Sequence, residues 1–157
     1  FGSSHIGSSL ERKPGGAVLR SRVQQPLDPS QPIDMSFQQI GEQFVQHYYQ
    51  TFDTNRAGLA GLYGDSSMLS FEGEQFQGAQ SITQKLASLS FQKVQHQVVK
   101  CDCQPNPTEN GVIIFVTGNL LVDDNQNPLK FAQTFYLRQG PSGNYFCQND
   151  MFRLNIG

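Results

Sequence analysis

The chain has 157 residues, enough for one domain with a sizeable apolar core and no need of covalent staples. Three cysteines are too few, and odd in number, for a disulfide framework, so the expectation is reduced thiols in an intracellular protein. A net charge of −2 argues against nucleic-acid binding, no apolar run is long enough to span a membrane, and the first residues lack the apolar stretch of a signal peptide.

Residues 1–34 are rich in Gly, Ser, Pro and Arg and carry no hydrophobic periodicity, which predicts a disordered leader. Met35 follows as a natural initiator, so the leader reads as an expression remnant, with a native basic extension as the alternative. Arg12, Lys13, Arg20 and Arg22 outnumber Glu11, Asp28 and Asp34 there, which leaves residues 35–157 acidic. An acidic domain is better matched to a basic protein partner than to a nucleic acid.

Ser36 and Gln39 have the spacing of a capping box, in which each side chain satisfies the other's backbone amide. Behind them Phe37, Ile40, Phe44, Tyr48 and Phe52 recur every three or four residues, widened by Val45 and Tyr49. The pattern predicts an amphipathic helix over 36–53 with a buried aromatic face, then a short second helix over 56–62. Met68–Phe71 reads as a strand, Glu72-Gly73-Glu74 as a turn into a second short strand, and Gly78 as the opening of a helix whose inner face is Ile82, Leu86 and Leu89.

After Ser90 the pattern turns to β, with strands expected at 91–103, 111–123, 129–139 and 144–155. Pro105-Asn106-Pro107, Asp123–Asn127 and Gly140–Gly143 punctuate them. Val112–Val116 is apolar at every position, which predicts a strand covered on both faces. Leu129, Phe131, Phe135 and Leu137 share one face, while Ala132, Thr134 and Tyr136 on the other could meet a second surface. In the last strand, alternation puts Phe146, Asp150, Phe152 and Leu154 opposite Tyr145, Cys147, Asn149, Met151 and Arg153, without saying which set faces inward. The expected class is α+β: a cone-shaped, strongly curved antiparallel sheet with the N-terminal helices on its concave side. Such a sheet leaves a hollow inside and an outer face that a second copy could cover.

Chemistry-bearing motifs are scarce. Nucleophile elbows, Walker loops and dinucleotide fingerprints are missing, and His5, His47 and His96 form no pair with ligand spacing, so no catalytic residues, metal or cofactor are expected. His96 shares a strand face with Val94 and Val98 and is either a base with Asp102 or Asp150 as partner, or a hydrogen-bonded residue at a pocket rim. Phe71-Glu72 at a strand end and Asp123-Asp124 on a turn could form an acidic mouth around the hollow.

Gly41–Tyr49, Phe76-Gln77-Gly78, Lys85–His96 and Asn149–Leu154, taken in order, resemble the nuclear transport factor 2 family over about residues 35–156. The resemblance implies a homodimer that is not an enzyme, binds the GTPase Ran in its GDP form and phenylalanine–glycine repeat nucleoporins, and moves Ran-GDP through the nuclear pore. It places the protein in cytoplasm and nucleus, enriched at the pore. It implies that Phe71, Glu72, Leu89, Val94, His96, Asp123, Asp124, Leu129 and Phe152 bind Ran, that Phe37 receives nucleoporin repeats, and that Phe115, Thr134 and Met151 lie in the dimer interface. Phe37 and Phe71 stand where the family often has Trp, and Asn125 stands where a further acid is common. The alternatives are an isomerase or dehydratase of the same cone fold, or a dimeric adaptor for another protein.

Overall fold

A computed structural model describes residues 36–155. The expectations for the leader fall on residues 1–34, outside the described part. Helix α1 spans Phe37–Thr54 and starts at the expected capping box: Gln39 N donates to Ser36 Oγ at 3.3 Å and Ser36 N to Gln39 Oε1 at 3.2 Å. A 3₁₀ turn at Arg56–Leu62 leads to β1 (Tyr63–Phe71) and β2 (Glu74–Gln77), then α2 (Ala79–Ala87). The strands β3 (Val94–Asn106), β4 (Gly111–Val122), β5 (Leu129–Gln139) and β6 (Tyr145–Leu154) follow as a meander.

The six strands form one open sheet in the order β2-β1-β6-β5-β4-β3. Its neighbours are antiparallel with one exception: β1 lies parallel to β6, a correction to the expected antiparallel sheet. A tight hairpin forces antiparallel pairing only between strands adjacent in sequence. Strand β1 reaches the sheet from the helical layer and docks on the free edge of β6, so no hairpin sets its direction.

Register shifts interrupt three strand pairs, β1–β6, β3–β4 and β5–β6. Val98 pairs with Gly118 and Lys100 with Thr117, so Val99 is an inserted residue at a bulge. A Cβ on Gly118 would sit 2.2 Å from Gln97 O, so only glycine lets the strands approach this closely. On β6, Leu137 pairs with Cys147 and Tyr136 with Asn149, leaving Gln148 unpaired. This shift corrects the expected alternation: Cys147 is fully buried with Asp150 and Phe152, while Phe146 pairs with outward Arg138. Pro105 lies within β3, which is tolerated because β3 is an edge strand.

Helix α1 crosses the inner face of β3 and β4 and buries Val45, Tyr48, Tyr49 and Phe52 there, against Ile114, Val116, Phe131 and Phe135. Gly41 permits the approach, since a Cβ would sit 2.4 Å from Cys103 Sγ. Val112–Val116 is covered on one face, not two: Val112, Ile114 and Val116 are buried, whereas Ile113 and Phe115 are exposed. Phe115, Thr134 and Met151 stand side by side across β4, β5 and β6 on this outer face. Phe115 and Met151 are 45% and 52% exposed, an apolar row left uncovered among the described residues.

Candidate functional site

Between the helical layer and the inner sheet lies a cavity of about 440 Å³, a size typical of ligand and anchor sites. Phe52 from α1, Leu86 and Leu89 from α2 and the loop after it, and Phe71, Leu120, Leu129 and Phe152 from the sheet give it apolar walls. Phe71 and Phe152 stack at 4.8 Å between ring centroids to form an aromatic wall, and Phe131 backs it by stacking on Phe152 at 5.7 Å. Arg56 fixes the facing wall by donating to the carbonyls of Leu86, Leu89 and Phe91 at 3.1, 3.4 and 3.0 Å. The guanidinium also lies 4.8 Å from the Phe91 ring centroid.

Asp150 sits beneath the cavity. It is fully buried, and its carboxylate accepts from Gln133 Nε2 at 2.7 Å, Tyr63 OH at 2.8 Å and Tyr48 OH at 3.3 Å. Tyr49 OH completes the network on Gln133 Oε1 at 2.9 Å. Burial raises the Asp150 pKa from 3.8 to about 6, against the three donors, which favour the ionised form. Burial, and then Asp150 itself, push the Tyr48 and Tyr63 phenols well above their usual range, so both remain hydroxyl donors.

His96 lines the cavity with only 3% of its side chain exposed. Its partner is neither Asp102 nor Asp150. Asp53, at the end of α1, accepts from the His96 backbone N at 2.9 Å and meets Nδ1 at 2.6 Å. The ring stacks on Tyr49 at 4.6 Å. Val98, placed on the same face from sequence, is exposed; it stands at the edge of the bulge, before the inserted Val99.

Two acids stand on turns near the cavity: Asp123 in its lining, and Glu72 next in sequence to the lining residue Phe71. Glu72 and Asp123 both have left-handed backbones, with φ of 50° and 51°, a conformation uncommon outside glycine. Each carboxylate grips neighbouring backbone: Glu72 Oε1 accepts from Leu154 N, and Asp123 Oδ1 accepts from Gln92 N at 3.0 Å and Lys93 N at 2.9 Å. The rim acids therefore tie the turns to β6 and to the loop before β3, a role that no sequence pattern announced. Both remain exposed.

The structure brings Phe71, Leu89, His96, Asp123, Leu129 and Phe152 together around the cavity, with Asn125 beside them. Val94 is buried outside the lining, and Asp124 lies in a shallow polar depression with Asp53, Lys93, Val94 and Gln126. Phe37 is 41% exposed at the start of α1 and is not part of the cavity. Tyr48, Gln133, Asp53 and the Arg56 clamp were missed from sequence. Among the described residues no group of three or more His, Cys, Asp or Glu side chains could hold a metal, and no helix is long and apolar enough to cross a membrane.

The model of the nuclear transport factor 2 (NTF2) domain matches residues 40–154. The chain belongs to the nuclear transport factor 2 family. Nuclear transport factor 2 of Emericella nidulans is 56% identical over 118 residues, covering 75% of this chain and 94% of the relative. The Neurospora crassa protein of the same name is 55% identical over 122 residues, covering 78% and 98%. The solved structure of nuclear transport factor 2 from Cryptosporidium parvum superposes with a TM-score of 0.72 at 56% identity, over 76% of this chain and 94% of that one. These names support a nuclear transport role and speak against an enzyme. Structures that carry dehydratase names, at 12% identity and TM-scores of 0.62 and 0.66, share the fold alone.

Proposed function

We propose that this chain works as a homodimeric carrier that binds Ran in its GDP form, contacts phenylalanine–glycine nucleoporins and takes Ran-GDP into the nucleus through the pore. It shuttles between cytoplasm and nucleus and catalyses nothing. The observation that carries the reading is an apolar cavity with exposed acids at its mouth, in a member of this family. An aromatic side chain entering the cavity would gain about 1.5–3 kcal/mol by burial. Glu72 and Asp123 at the mouth, with Asp124 beyond it, would steer basic residues of the partner and set its orientation.

Discrimination between nucleotide states requires contacts that one state offers and the other withholds. A GTPase reorders its switch segments with its nucleotide, so an anchor residue on such a segment reaches the cavity in one state only. The row Phe115, Thr134 and Met151 supplies an apolar, self-complementary surface for a second copy. Exposed Phe37 supplies a ring for weak repeat contacts, which retain the complex collectively while each releases quickly.

The test is retention of Ran on the immobilised protein, with Ran loaded separately with GDP and GTP. Retention of the GDP form alone is expected. Equal retention of both forms, or of neither, would sink the proposal.

A further inference from the structure

The apolar cavity contains a sheltered polar feature that the described residues leave unfinished. Tyr48 and Gln133 reach the cavity lining, but their polar atoms are spent on Asp150, Tyr49 and each other. The Asp123 carboxylate is engaged with backbone amides at the mouth. His96 differs. Asp53 takes Nδ1 and the backbone amide, while Nε2 has no hydrogen-bond partner among the described residues. No side-chain nitrogen or oxygen there is both sealed from solvent and unpartnered, so Nε2 opens onto the space that His96 lines.

The carboxylate also sets the polarity of that nitrogen. A proton on Nδ1 is held by the acceptor-only oxygens of Asp53, so the neutral imidazole presents a lone pair at Nε2. Stacking on Tyr49 and edge contacts with Phe52 and Phe131, at 4.8 and 5.4 Å, prevent the ring from turning away. In that tautomer Nε2 is a fixed acceptor, on a side chain almost wholly withdrawn from bulk water, at the wall of an aromatic chamber.

We propose that the cavity is a binding site for a free small molecule of the phenol class: a flat apolar ring system carrying one hydroxyl, which donates to His96 Nε2. The aromatic walls from Phe71, Phe152 and Phe52 supply stacking and burial, and the hydroxyl completes the hydrogen bond that the fold leaves open. A pure hydrocarbon of the same shape gains the first contribution and lacks the second. Because the same chamber would receive the protein anchor proposed above, such a molecule is a competitor of Ran-GDP, and that consequence rests on the carrier reading.

The experiment uses naphthol, its methyl ether and naphthalene as probes, titrated into the full chain and followed by tyrosine fluorescence and calorimetry. Saturable binding of one naphthol per chain is expected, about tenfold tighter than the ether, which keeps the oxygen and loses the donor. In His96→Leu the preference should vanish. If that variant fails to fold, the naphthol–ether comparison on the unaltered protein still decides. Equal affinity for all three probes, or no saturable binding of naphthol, would overturn the proposal. Ran-GDP separates the two readings: binding of Ran-GDP without naphthol binding refutes only the ligand site. Donor-selective naphthol binding that leaves Ran-GDP affinity untouched upholds the ligand site and refutes the cavity as Ran's anchor point.

Discussion

Replacing Asp150 by asparagine should change the sign of its effect on stability between acidic and neutral pH. The carboxyl is fully buried, and burial lifts its pKa from 3.8 to about 6 in the folded chain. Below pH 3.8 both folded and unfolded chains hold the proton, and the group contributes its full stabilisation. As pH rises through about 6 the unfolded chain has already released the proton, the folded chain must follow, and that stabilisation is lost. A shift of about two units corresponds to about 3 kcal/mol less stability at neutral pH than in acid. Asparagine carries no charge and avoids that loss. It can still accept from Gln133 Nε2, but it turns an amide group toward Tyr48 and Tyr63, whose hydroxyls must reorient; about one hydrogen bond, roughly 1 kcal/mol, is forfeited at every pH. The variant should therefore be about 0.5 kcal/mol less stable near pH 4, about 1 kcal/mol less stable well below the unfolded pKa, and about 2 kcal/mol more stable near pH 7.5. Urea denaturation of both proteins across that range, at one fixed protein concentration, gives the difference directly. A difference that does not vary with pH would refute the reasoning.

Glu72→Gln keeps the acceptor for Leu154 N and removes the charge, so Ran-GDP affinity should fall and its dependence on salt should flatten, with the fold intact. Calorimetry at two ionic strengths checks this, and unchanged affinity would remove Glu72 from the interface. Met151→Glu places a charge in the outward apolar row and should give a folded monomer in sedimentation, where a persistent dimer would mean another face is used. Gly118→Ala forces a methyl onto the backbone of β3 and should cost at least about 1–3 kcal/mol in urea denaturation. Wild-type stability would show that the bulge yields easily.

Much of this architecture is legible in the chain itself. The capping box and aromatic stripe announce α1 because every determinant lies within a few residues, and the meander β3–β6 follows from turn residues between apolar runs. The first half of β1 escapes notice, since Tyr63-Gly64-Asp65-Ser66-Ser67 has no apolar alternation; it is held instead by Ser67, buried and donating to Cys147 O at 2.6 Å. Bulges at Val99 and Gln148 shift every later side chain to the other face, and no local pattern reveals them. The candidate site divides the same way. Its apolar members sit at helix and strand positions whose periodicity points inward, with Leu89 just beyond α2. Its polar partnerships, Asp53 with His96 and Asp150 with Tyr48, Tyr63 and Gln133, join elements far apart in sequence and become visible only once the sheet has folded.

The position of β6 has a temporal consequence. It follows every other described strand in sequence, yet it sits inside the sheet, where it joins the β1–β2 pair to the β3–β5 meander. A polypeptide emerging from the ribosome therefore holds two unsatisfied edges, on β1 and on β5, until β6 is made. It also lacks the Phe152 side of the chamber. The chamber is completed in one step, when β6 is added, and any chaperone that guards this nascent chain before then must shield a gap one strand wide.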